Sequence, residues 1–508
     1  MNRAFPITFL WMTAACVASV GCGRPAAMGQ ELPEPEEHWF VVQLQDQRCG
    51  YMHTRVKPVG REVHTHTIVG LNLRRGKAEL KITIEQHHRE SSDGRPLAFK
   101  QVTHLGLEPV TIEGTIRDDR LTLTRDQLGA RKTDTYDFDP DIKFAWGMSL
   151  LQKEKGLEPG TSFTVKSYDP GIREDGPFEV LLEVHDKQRV ELPGNKFRLL
   201  TRVTSTMQLP VPITSNSWLD DDATPLITDL NMGAFAFRIL HASKEEALAE
   251  GTPPELFLST FVTVDKKVDR TAKMLKLRLK LPDDAAISKM PDLPDTAMQK
   301  VRRISDTEAV VTIRRLDWKA LADVPASAAD PAMDQYLKAS TTLDADDKRI
   351  QHHAKKAVRG ADTPAQKARA LRKYVTDFIT SKGLDVGFAS ASEVIRNRKG
   401  DCTEHGVLLA ALARAAGLPA RCVSGIVLIP PGTLAPDSGS AFGYHMWTQV
   451  NIGGTWVDID AALRQTDCDP THVALAIMPL NDEGVANSVI TLLPFLGRLQ
   501  MEVLAVEE

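Results

Sequence analysis

The sequence predicts an α+β chain in which two mainly antiparallel β domains precede a C-terminal α+β domain. Two observations support this fold class. Apolar and polar residues alternate with a period of two over most of residues 38–250 and again over 256–320, which is typical of half-buried strands. From about residue 340 to the end at 508 the period is first helical and then strand-like again. A chain of 508 residues is long enough for several domains.

Composition indicates a globular protein. Hydrophobic residues make up 42% of the chain and charged residues 25%, as in ordinary folded domains. The net charge of −5 is small for this length and gives no reason to expect nucleic acid as a partner. Six cysteines are too few for a disulfide scaffold. We expect neither a cofactor nor a bound metal.

Residues 1–21 predict a signal peptide of the lipoprotein type. The sequence MNR supplies a positive charge, a short apolar run follows, and GCG comes next. SVGC resembles a bacterial lipobox in which Cys22 carries the lipid, although Ser19 stands where an aliphatic residue is usual. An ordinary cleaved signal is the alternative. Residues 22–37 predict a linker, so we expect an exported protein of the cell envelope that touches the membrane only through this lipid.

The two β regions contain clear strand and turn signals. KAELKITIEQ places Leu80, Ile82 and Ile84 on one face, and PVTIEGTIRDDRLTLTR predicts a hairpin with a polar turn. FAWGMSLLQKEKG, residues 144–156, is the best helix candidate in the first region. In the second region MLKLRLKLP alternates leucine with basic residues, and EAVVTIRRLDW predicts a partner strand.

Helix signals dominate the start of the predicted domain 340–508. Thr363, Pro364 and Gln366 form an N-cap, a first-turn proline and a capping-box partner. A second helix begins at DCTEHG and ends near Gly417, with a proline beyond it. The third domain is therefore predicted to be α+β.

Cys402 lies at the start of this second helix. Asp401 and Glu404 stand three residues apart, which predicts a capping box with Cys402 as the first helical residue. The positive end of the helix dipole and the unpaired N–H groups there favour a thiolate and can hold an oxyanion. A buried structural cysteine is the alternative, but that role is more typical of positions further along the apolar face.

A nucleophilic thiol needs an imidazole and an acceptor that orients it. FGYHMWTQVNIGGTWVDID predicts a hairpin that turns at two glycines. If both Gly453 and Gly454 form the loop, Asp460 lies diagonally beside His445; if the loop begins one residue earlier, the two lie directly opposite. Asp458 shares the face but lies further from His445, so Asp460 is the predicted partner. A three-residue loop with a bulge would break this parity.

Three separated elements resemble the transglutaminase-like superfamily of bacterial exported proteins. They are GDC at the start of a helix that ends in GLPAR, HMW on one strand and WVDID on the next. The resemblance covers roughly residues 340–480. Gly406, Met446 and Ala461 depart from the usual residues of that pattern, and none of these departures removes a catalytic group.

The resemblance implies a papain-like domain with a Cys-His-Asp triad and acyl-transfer chemistry. Cys402 would attack a peptide or carboxamide carbonyl, His445 would protonate the leaving amine, and Asp460 would fix the imidazole tautomer. Either an amine or water would then resolve the acyl-enzyme, giving crosslinking or hydrolysis of a peptide or protein substrate. The alternative is a non-catalytic envelope protein that binds or scaffolds on the same fold.

We expect the other candidate residues to be structural. The strand histidines of VHTHT and QHH could hold a metal ion, but solvated strand positions are the stronger expectation. His405 is expected to belong to the helix, Cys422 to the core and Cys468 to a loop. Nothing in their spacing favours a bridge between Cys422 and Cys468.

Overall fold

The computed structural model of the protein describes residues 33–508 apart from 76–77, 105–108, 128–129, 174–175, 210, 233–234, 256–259, 283–288, 326–329, 382–388, 430–439, 482–491 and 493. The predicted signal peptide 1–21, Cys22 and most of the linker 22–37 lie outside the described residues. Contacts divide the described residues into two compact units, one formed by residues 33–74 with 81–254 and the other mainly by residues 255–508. No helix in the described part of the chain is long and apolar enough to span a lipid bilayer.

Antiparallel strands build the N-terminal unit, as predicted. Its elements are β1 Glu36–Leu44, β2 Gln47–Val59, β3 Glu62–Arg75, β4 Ala78–Ser91, β5 Pro96–His104, β6 Val110–Arg117, β7 Arg120–Gln127, β8 Ala130–Asp137, α1 Ala145–Lys155, β9 Ser162–Ser167, β10 Phe178–Leu192, β11 Lys196–Gln208, β12 Ile213–Leu219, β13 Pro225–Met232, β14 Phe235–Ala242 and α2 Lys244–Leu248. Within the described residues the fourteen strands form one sheet in the order β8 to β1 followed by β14 to β9. Strands that follow one another in the chain are therefore mostly neighbours in the sheet.

Alternation of side chains gives this sheet its apolar face. Leu80, Ile82 and Ile84 are buried on β4, as the period of two predicts. The predicted hairpin is β6–β7, which turns at Asp118 and Asp119, both in the left-handed region at φ 48° and 55°. Short polar side chains tolerate that conformation and suit a two-residue turn.

The predicted helix of this unit is α1, and a buried carboxyl group holds its first turn. Glu90 on β4 is fully buried and accepts hydrogen bonds from the backbone N–H groups of Trp146 and Gly147, each at 2.8 Å. Burial raises the pKa of Glu90 to about 8, although these two bonds oppose the rise. The helix start is thus satisfied by a side chain from the sheet.

The C-terminal unit combines two sheets with a helical layer. Its elements are β15 Val262–Val264, β16 Met274–Lys280, β17 Gln299–Arg303, β18 Glu308–Arg314, a 3₁₀ helix Pro331–Tyr336, α3 Lys348–Ala357, α4 Pro364–Phe378, α5 Ala391–Asn397, α6 Cys402–Ala415, β19 Ala420–Leu428, β20 Ser440–Ile452, β21 Thr455–Ile459, β22 Val473–Met478 and β23 Gln500–Glu507. One sheet has the order β15-β20-β19-β22 with β21 added to β20, and the other has the order β17-β18-β16-β23.

Distant parts of the chain share these two sheets. Residues 262–264 of β15 pair with β20, and β23 at the end of the chain pairs with β16. The predicted pairing of MLKLRLKLP with EAVVTIRRLDW is confirmed as β16–β18. Strands from the predicted small β domain 256–320 and the predicted domain 340–508 therefore lie side by side, and the domain boundaries themselves stay a prediction.

Helix α6 is the centre of the C-terminal unit. Every residue from Cys402 to Arg414 is buried, and α3, α4, α5, β19 and β20 all pack against it. The run from Gly406 to Ala413 carries no polar side chain, and a helix that is apolar all round over most of its length belongs in such a position. The predicted C-terminus is confirmed, because Gly417 has φ 77° and the N–H of Leu418 donates to the carbonyl of Ala413 at 2.9 Å.

Candidate active site

The thiol predicted to be the nucleophile lies in the first turn of α6. The carboxylate of Asp401 accepts a hydrogen bond from the N–H of Thr403 at 2.8 Å, and Glu404 accepts one from the N–H of Asp401 at 2.8 Å. The predicted capping box is therefore present, and Cys402 is the first residue of the helix. Its side chain is buried, with 3% of the residue exposed. The helix dipole at this position favours a thiolate.

The side chain of Glu404 explains why residue 400, two positions before Cys402, is a glycine. A Cβ atom on Gly400 would lie 2.2 Å from the Cβ of Glu404, so only glycine fits there. Glu404 also accepts from the N–H of Ala389 at 3.2 Å. Burial, together with the charge of Asp401, raises the pKa of Glu404 well above its usual range. Burial thus favours the neutral form of this carboxyl group at the helix start.

The contact between α6 and β20 brings two of the predicted site elements together. The hydroxyl of Thr448 on β20 donates to the carbonyl of Gly406 at 3.0 Å, and Met446 packs beside Gly406. Cys402 lies one helical turn before Gly406, and His445 is the neighbour of Met446. This contact holds the start of α6 against the strand that carries the predicted histidine.

The hairpin β20–β21 has the first of the two predicted registers. Gly453 and Gly454 form a two-residue loop, both with positive φ. His445 and Asp460 are consequently on one face, and the imidazole Nε2 lies 2.6 Å from Asp460 Oδ2. Both residues are buried. The structure therefore joins His445 to the aspartate that the parity argument selected.

The other aspartate of the hairpin has different partners. Asp458 Oδ1 accepts hydrogen bonds from the indole N–H of Trp447 at 2.6 Å and from the amide of Gln449 at 2.9 Å. Burial raises the pKa of Asp458 from its ordinary value. Asp458 therefore anchors the packing of Trp447, whereas Asp460 orients the histidine.

Asp460 binds a second histidine that the sequence analysis did not single out. His472 Nε2 lies 3.2 Å from the same oxygen, Asp460 Oδ2, and Asp460 Oδ1 accepts from the N–H of Leu463 at 2.8 Å. Burial opposes the charged form, but His445 and His472 hold the pKa of Asp460 well below its usual range. Asp460 is thus a buried carboxylate shared by two imidazoles.

The position of His472 explains why it was missed. It directly precedes β22, in the segment DCDPTH, and β22 reaches the site only by pairing with β19. A histidine at the entry to an apolar strand is a weak signal, since the sequence does not reveal which strand is its neighbour. The proximity of His472 to Asp460 is a product of long-range pairing.

Two clusters have ligand types that metal ions use. Among the described residues, His445, Asp460 and His472 form a group whose ligand atoms all lie within 4.8 Å of one another. His472 Nδ1 also lies 3.1 Å from the carbonyl oxygen of Asp469, so both of its nitrogens face acceptors. In each of these contacts a ring nitrogen faces an oxygen that can accept, so hydrogen bonding accounts for this cluster.

The second cluster lies on the N-terminal sheet. His64 Nδ1 and His87 Nε2 are 3.3 Å apart, and His66 lies 2.7 Å from Glu85. His64 also contacts Glu62 at 3.0 Å. Each histidine therefore has a hydrogen-bonding partner on its own sheet.

The remaining cysteines and His405 have structural surroundings. His405 Nδ1 donates to the carbonyl of Asp401 within the helix. Cys49, Cys422 and Cys468 are buried free thiols, and burial raises the pKa of each to about 12. These three thiols are consequently poor nucleophiles at neutral pH.

Comparisons with solved structures give remote similarities. A candidate cysteine protease from Cytophaga hutchinsonii is 16% identical with a TM-score of 0.31, covering 47% of this chain and 87% of its own. A β-barrel-like domain of unknown function from Brucella abortus is 14% identical with a TM-score of 0.32, covering 41% and 96%. The periplasmic domain of TgpA from Pseudomonas aeruginosa, bound to ethylmercury, is 16% identical with a TM-score of 0.25, covering 43% and 88%. All three TM-scores are too low to carry an argument about function.

The family comparison is more specific. No curated protein matches the chain. Residues 351–461, however, match the transglutaminase-like superfamily, and this range contains the helix start at Cys402, the strand of His445 and Asp460. The matched range also contains both α6 and β20, which pack against each other. Residues 351–461 of this chain are therefore similar to the transglutaminase-like superfamily.

Proposed function

We propose that the C-terminal domain is a cysteine enzyme that hydrolyses or transfers the acyl group of a peptide or carboxamide bond in a peptide or protein substrate. One observation carries the proposal: the 2.6 Å hydrogen bond between His445 Nε2 and Asp460 Oδ2, on the strand against which the helix of Cys402 packs. A histidine oriented by a carboxylate and placed with a helix-start thiol is the arrangement that nucleophilic catalysis requires.

The acylation half-reaction follows from this geometry. Because His445 Nε2 donates to Asp460, Nδ1 is the nitrogen that exchanges a proton with the thiol. The thiolate of Cys402 attacks the carbonyl carbon, and the carbonyl π electrons move to oxygen. The N–H of Cys402 is one expected donor to that oxyanion. Collapse of the intermediate breaks the C–N bond, the amine leaves with the proton from His445, and a thioester remains.

Water or an amine then resolves the thioester. His445 removes a proton from the incoming nucleophile, the C–S bond breaks, and the thiolate of Cys402 is regenerated. Water gives a carboxylic acid, and an amine gives a new amide. The two outcomes share every residue of the site and differ in which nucleophile reaches it.

The first test is the pH dependence of alkylation of the full chain, followed residue by residue with mass spectrometry. We expect Cys402 to react with an apparent pKa well below the unperturbed value of about 8.5, and His445→Ala to abolish this advantage. Cys49, Cys422 and Cys468 serve as internal controls because burial raises their pKa to about 12.

Turnover is tested next with a peptide library in the presence and absence of a primary amine. Release of a carboxylic acid indicates hydrolysis, and incorporation of the amine indicates crosslinking. Cys402→Ala is the matched inactive variant. An ordinary thiol titration for Cys402 that is unchanged in His445→Ala would overturn the proposed function.

We also propose that the protein is exported and lipid-anchored. The proposal is supported by the charged, apolar and GCG segments of residues 1–23. Mass spectrometry of the mature N-terminus is the test. A diacylglyceryl group on Cys22 that is lost in Cys22→Ser supports the anchor, and an unmodified N-terminus excludes it.

A further inference from the structure

His472 contacts the proposed triad, and the mechanism above gives it no role. It is buried, and its Nε2 lies 3.2 Å from Asp460 Oδ2, the atom that His445 Nε2 approaches to 2.6 Å. The rings of His445 and His472 lie 6.2 Å apart between centroids. Two imidazoles therefore bind one carboxylate oxygen inside the protein.

Hydrogen-bond donors and acceptors fix the protonation state of His472. A carbonyl oxygen only accepts, so the contact of 3.1 Å between Nδ1 and the carbonyl of Asp469 requires a proton on Nδ1. The carboxylate of Asp460 also accepts, so Nε2 carries a proton as well. An imidazole with protons on both nitrogens is an imidazolium.

The charges around the ring agree with this assignment. Asp469 presents a carboxylate oxygen 3.6 Å from His472 Nδ1, and it is itself held by the side chains of Gln465 and Thr471. Burial opposes the charged ring, but hydrogen bonds to the carboxylates of Asp460 and Asp469 raise the pKa of His472 above its usual range. The Cys468 thiol, whose pKa burial raises to about 12, is neutral at pH 7 and adds no charge. The titratable or charged groups that act on His472 or on Asp460 are Asp458, Asp460, Asp469, Cys468, His445 and, from α4, Arg372.

We propose that His472 is a positioning residue for the triad: a permanent imidazolium that fixes Asp460 Oδ2 and, by its charge, limits how strongly His445 holds its proton. The assignment of charge stands by itself, and its effect on catalysis rests on the proposed function. Without a second cation, a buried carboxylate 2.6 Å from His445 would stabilise the charged form of His445 strongly. With His472 present, Asp460 divides its negative charge between two rings, which eases release of the proton to the leaving amine.

The test compares His472→Gln with His472→Ala. Glutamine can still donate to Asp460 but carries no charge, whereas alanine removes both the bond and the charge. We expect the alkaline limb of the kcat/KM profile to move to higher pH by about one unit in His472→Gln, because loss of the neighbouring cation favours the charged form of His445. His353→Gln is the control. His353 on α3 forms a hydrogen bond of 2.6 Å with Tyr374 on α4, so this substitution should leave the pH profile unchanged.

A measurement that does not depend on turnover separates this inference from the proposed function. Nitrogen NMR of histidine-labelled full chain should show His472 protonated on both ring nitrogens from pH 5.5 to 8.5, and the titration of His445 should shift upward in His472→Gln. A neutral His472 at pH 7 overturns the inference whether or not the protein is active. An unshifted titration of His445 and an unshifted pH profile in a folded His472→Gln variant would reduce His472 to a packing residue.

Discussion

The indole N–H of Trp447 donates to Asp458 at 2.6 Å, and this bond separates the roles of two aspartates on one face of the hairpin. Trp447 and Gln449 both donate to Asp458 Oδ1, while Asp460 Oδ2 faces His445 and His472. Chemically identical side chains two residues apart thus hold a tryptophan in one case and the histidine of the proposed triad in the other.

Asparagine substitutions at these two positions should differ greatly in their effect on activity. Asp460→Asn is expected to lower kcat/KM by about 10²- to 10⁴-fold, because the carboxylate that fixes the imidazole tautomer is lost. Asp458→Asn keeps the oxygen to which both donors bind, so kcat/KM should change by less than about threefold and stability by less than about 1 kcal/mol. Steady-state kinetics and thermal unfolding of both variants test this prediction. An equal loss of kcat/KM in the two variants would contradict the separate roles of Asp458 and Asp460.

A threonine on α4 should control where Asp460 sits. The hydroxyl of Thr376 donates to the carbonyl of Ala461, the residue directly after Asp460, at 2.7 Å. Thr376→Val leaves that buried carbonyl without its donor, so we expect a loss of about 1–3 kcal/mol in stability and a kcat/KM lower by about tenfold. Thr380→Val, at an exposed position near the end of the same helix, is the matched control and should change neither. Wild-type kinetics in Thr376→Val would show that the bond does not position the site.

Gly425 on β19 should tolerate no side chain. A Cβ atom there would lie 2.0 Å from the carbonyl oxygen of Val473 and 2.8 Å from the ring of Trp447. We expect Gly425→Ala to cost about 3 kcal/mol, since backbone pairing and the indole would both have to move. In contrast, a Cβ atom on Gly406 would lie 3.1 Å from the flexible end of Met446 and 3.8 Å from Cys422 Sγ, so Gly406→Ala should gain up to about 1 kcal/mol in helix stability. Chemical denaturation ranks the two variants, and the reverse order would refute this account.

The stability of the N-terminal unit should fall as pH rises, because of Glu90. Its pKa is raised by burial from 4.5 to about 8. Below pH 4.5 the carboxyl group is neutral in both states; between 4.5 and 8 it ionises only in the unfolded chain, so the free energy of unfolding decreases by a few kcal/mol. Hydrogen exchange of α1 at pH 5, 6.5 and 8 measures the effect. Glu90→Gln should flatten the dependence, and an equal slope in both proteins would exclude Glu90 as its source.

Local signals in the sequence predicted local structure well. The capping box at Asp401, the glycine stop at Gly417 and the loop at Gly453 and Gly454 depend on residues at most a few positions apart. The interactions that stabilise each of them lie within one helical turn or one hairpin, so the local sequence pattern is sufficient to predict them. The position of Asp460 beside His445 follows from the same hairpin and needed no further information.

Features that depend on pairing between strands far apart in the chain could not be predicted from the sequence. Alternation of apolar and polar residues indicates that β15 and β23 are strands, but it does not identify β20 and β16 as the strands with which they pair. The same limit hid His472, whose approach to Asp460 depends on how β22 and β19 align. The catalytic roles of Cys402, His445 and Asp460 stay predictions until the experiments above are done.

The pairing of β15 with β20 and of β23 with β16 means that the smallest piece of this protein able to fold alone is larger than its recognisable family region. A fragment trimmed to residues 340–508 would leave the β15 side of β20 open and β23 without its neighbour, and exposed sheet edges promote aggregation. Expression of the enzyme part should therefore begin before Val262 and run past Glu507. Natural fusions or truncations between those points should destabilise the C-terminal unit even where Cys402, His445 and Asp460 are all retained.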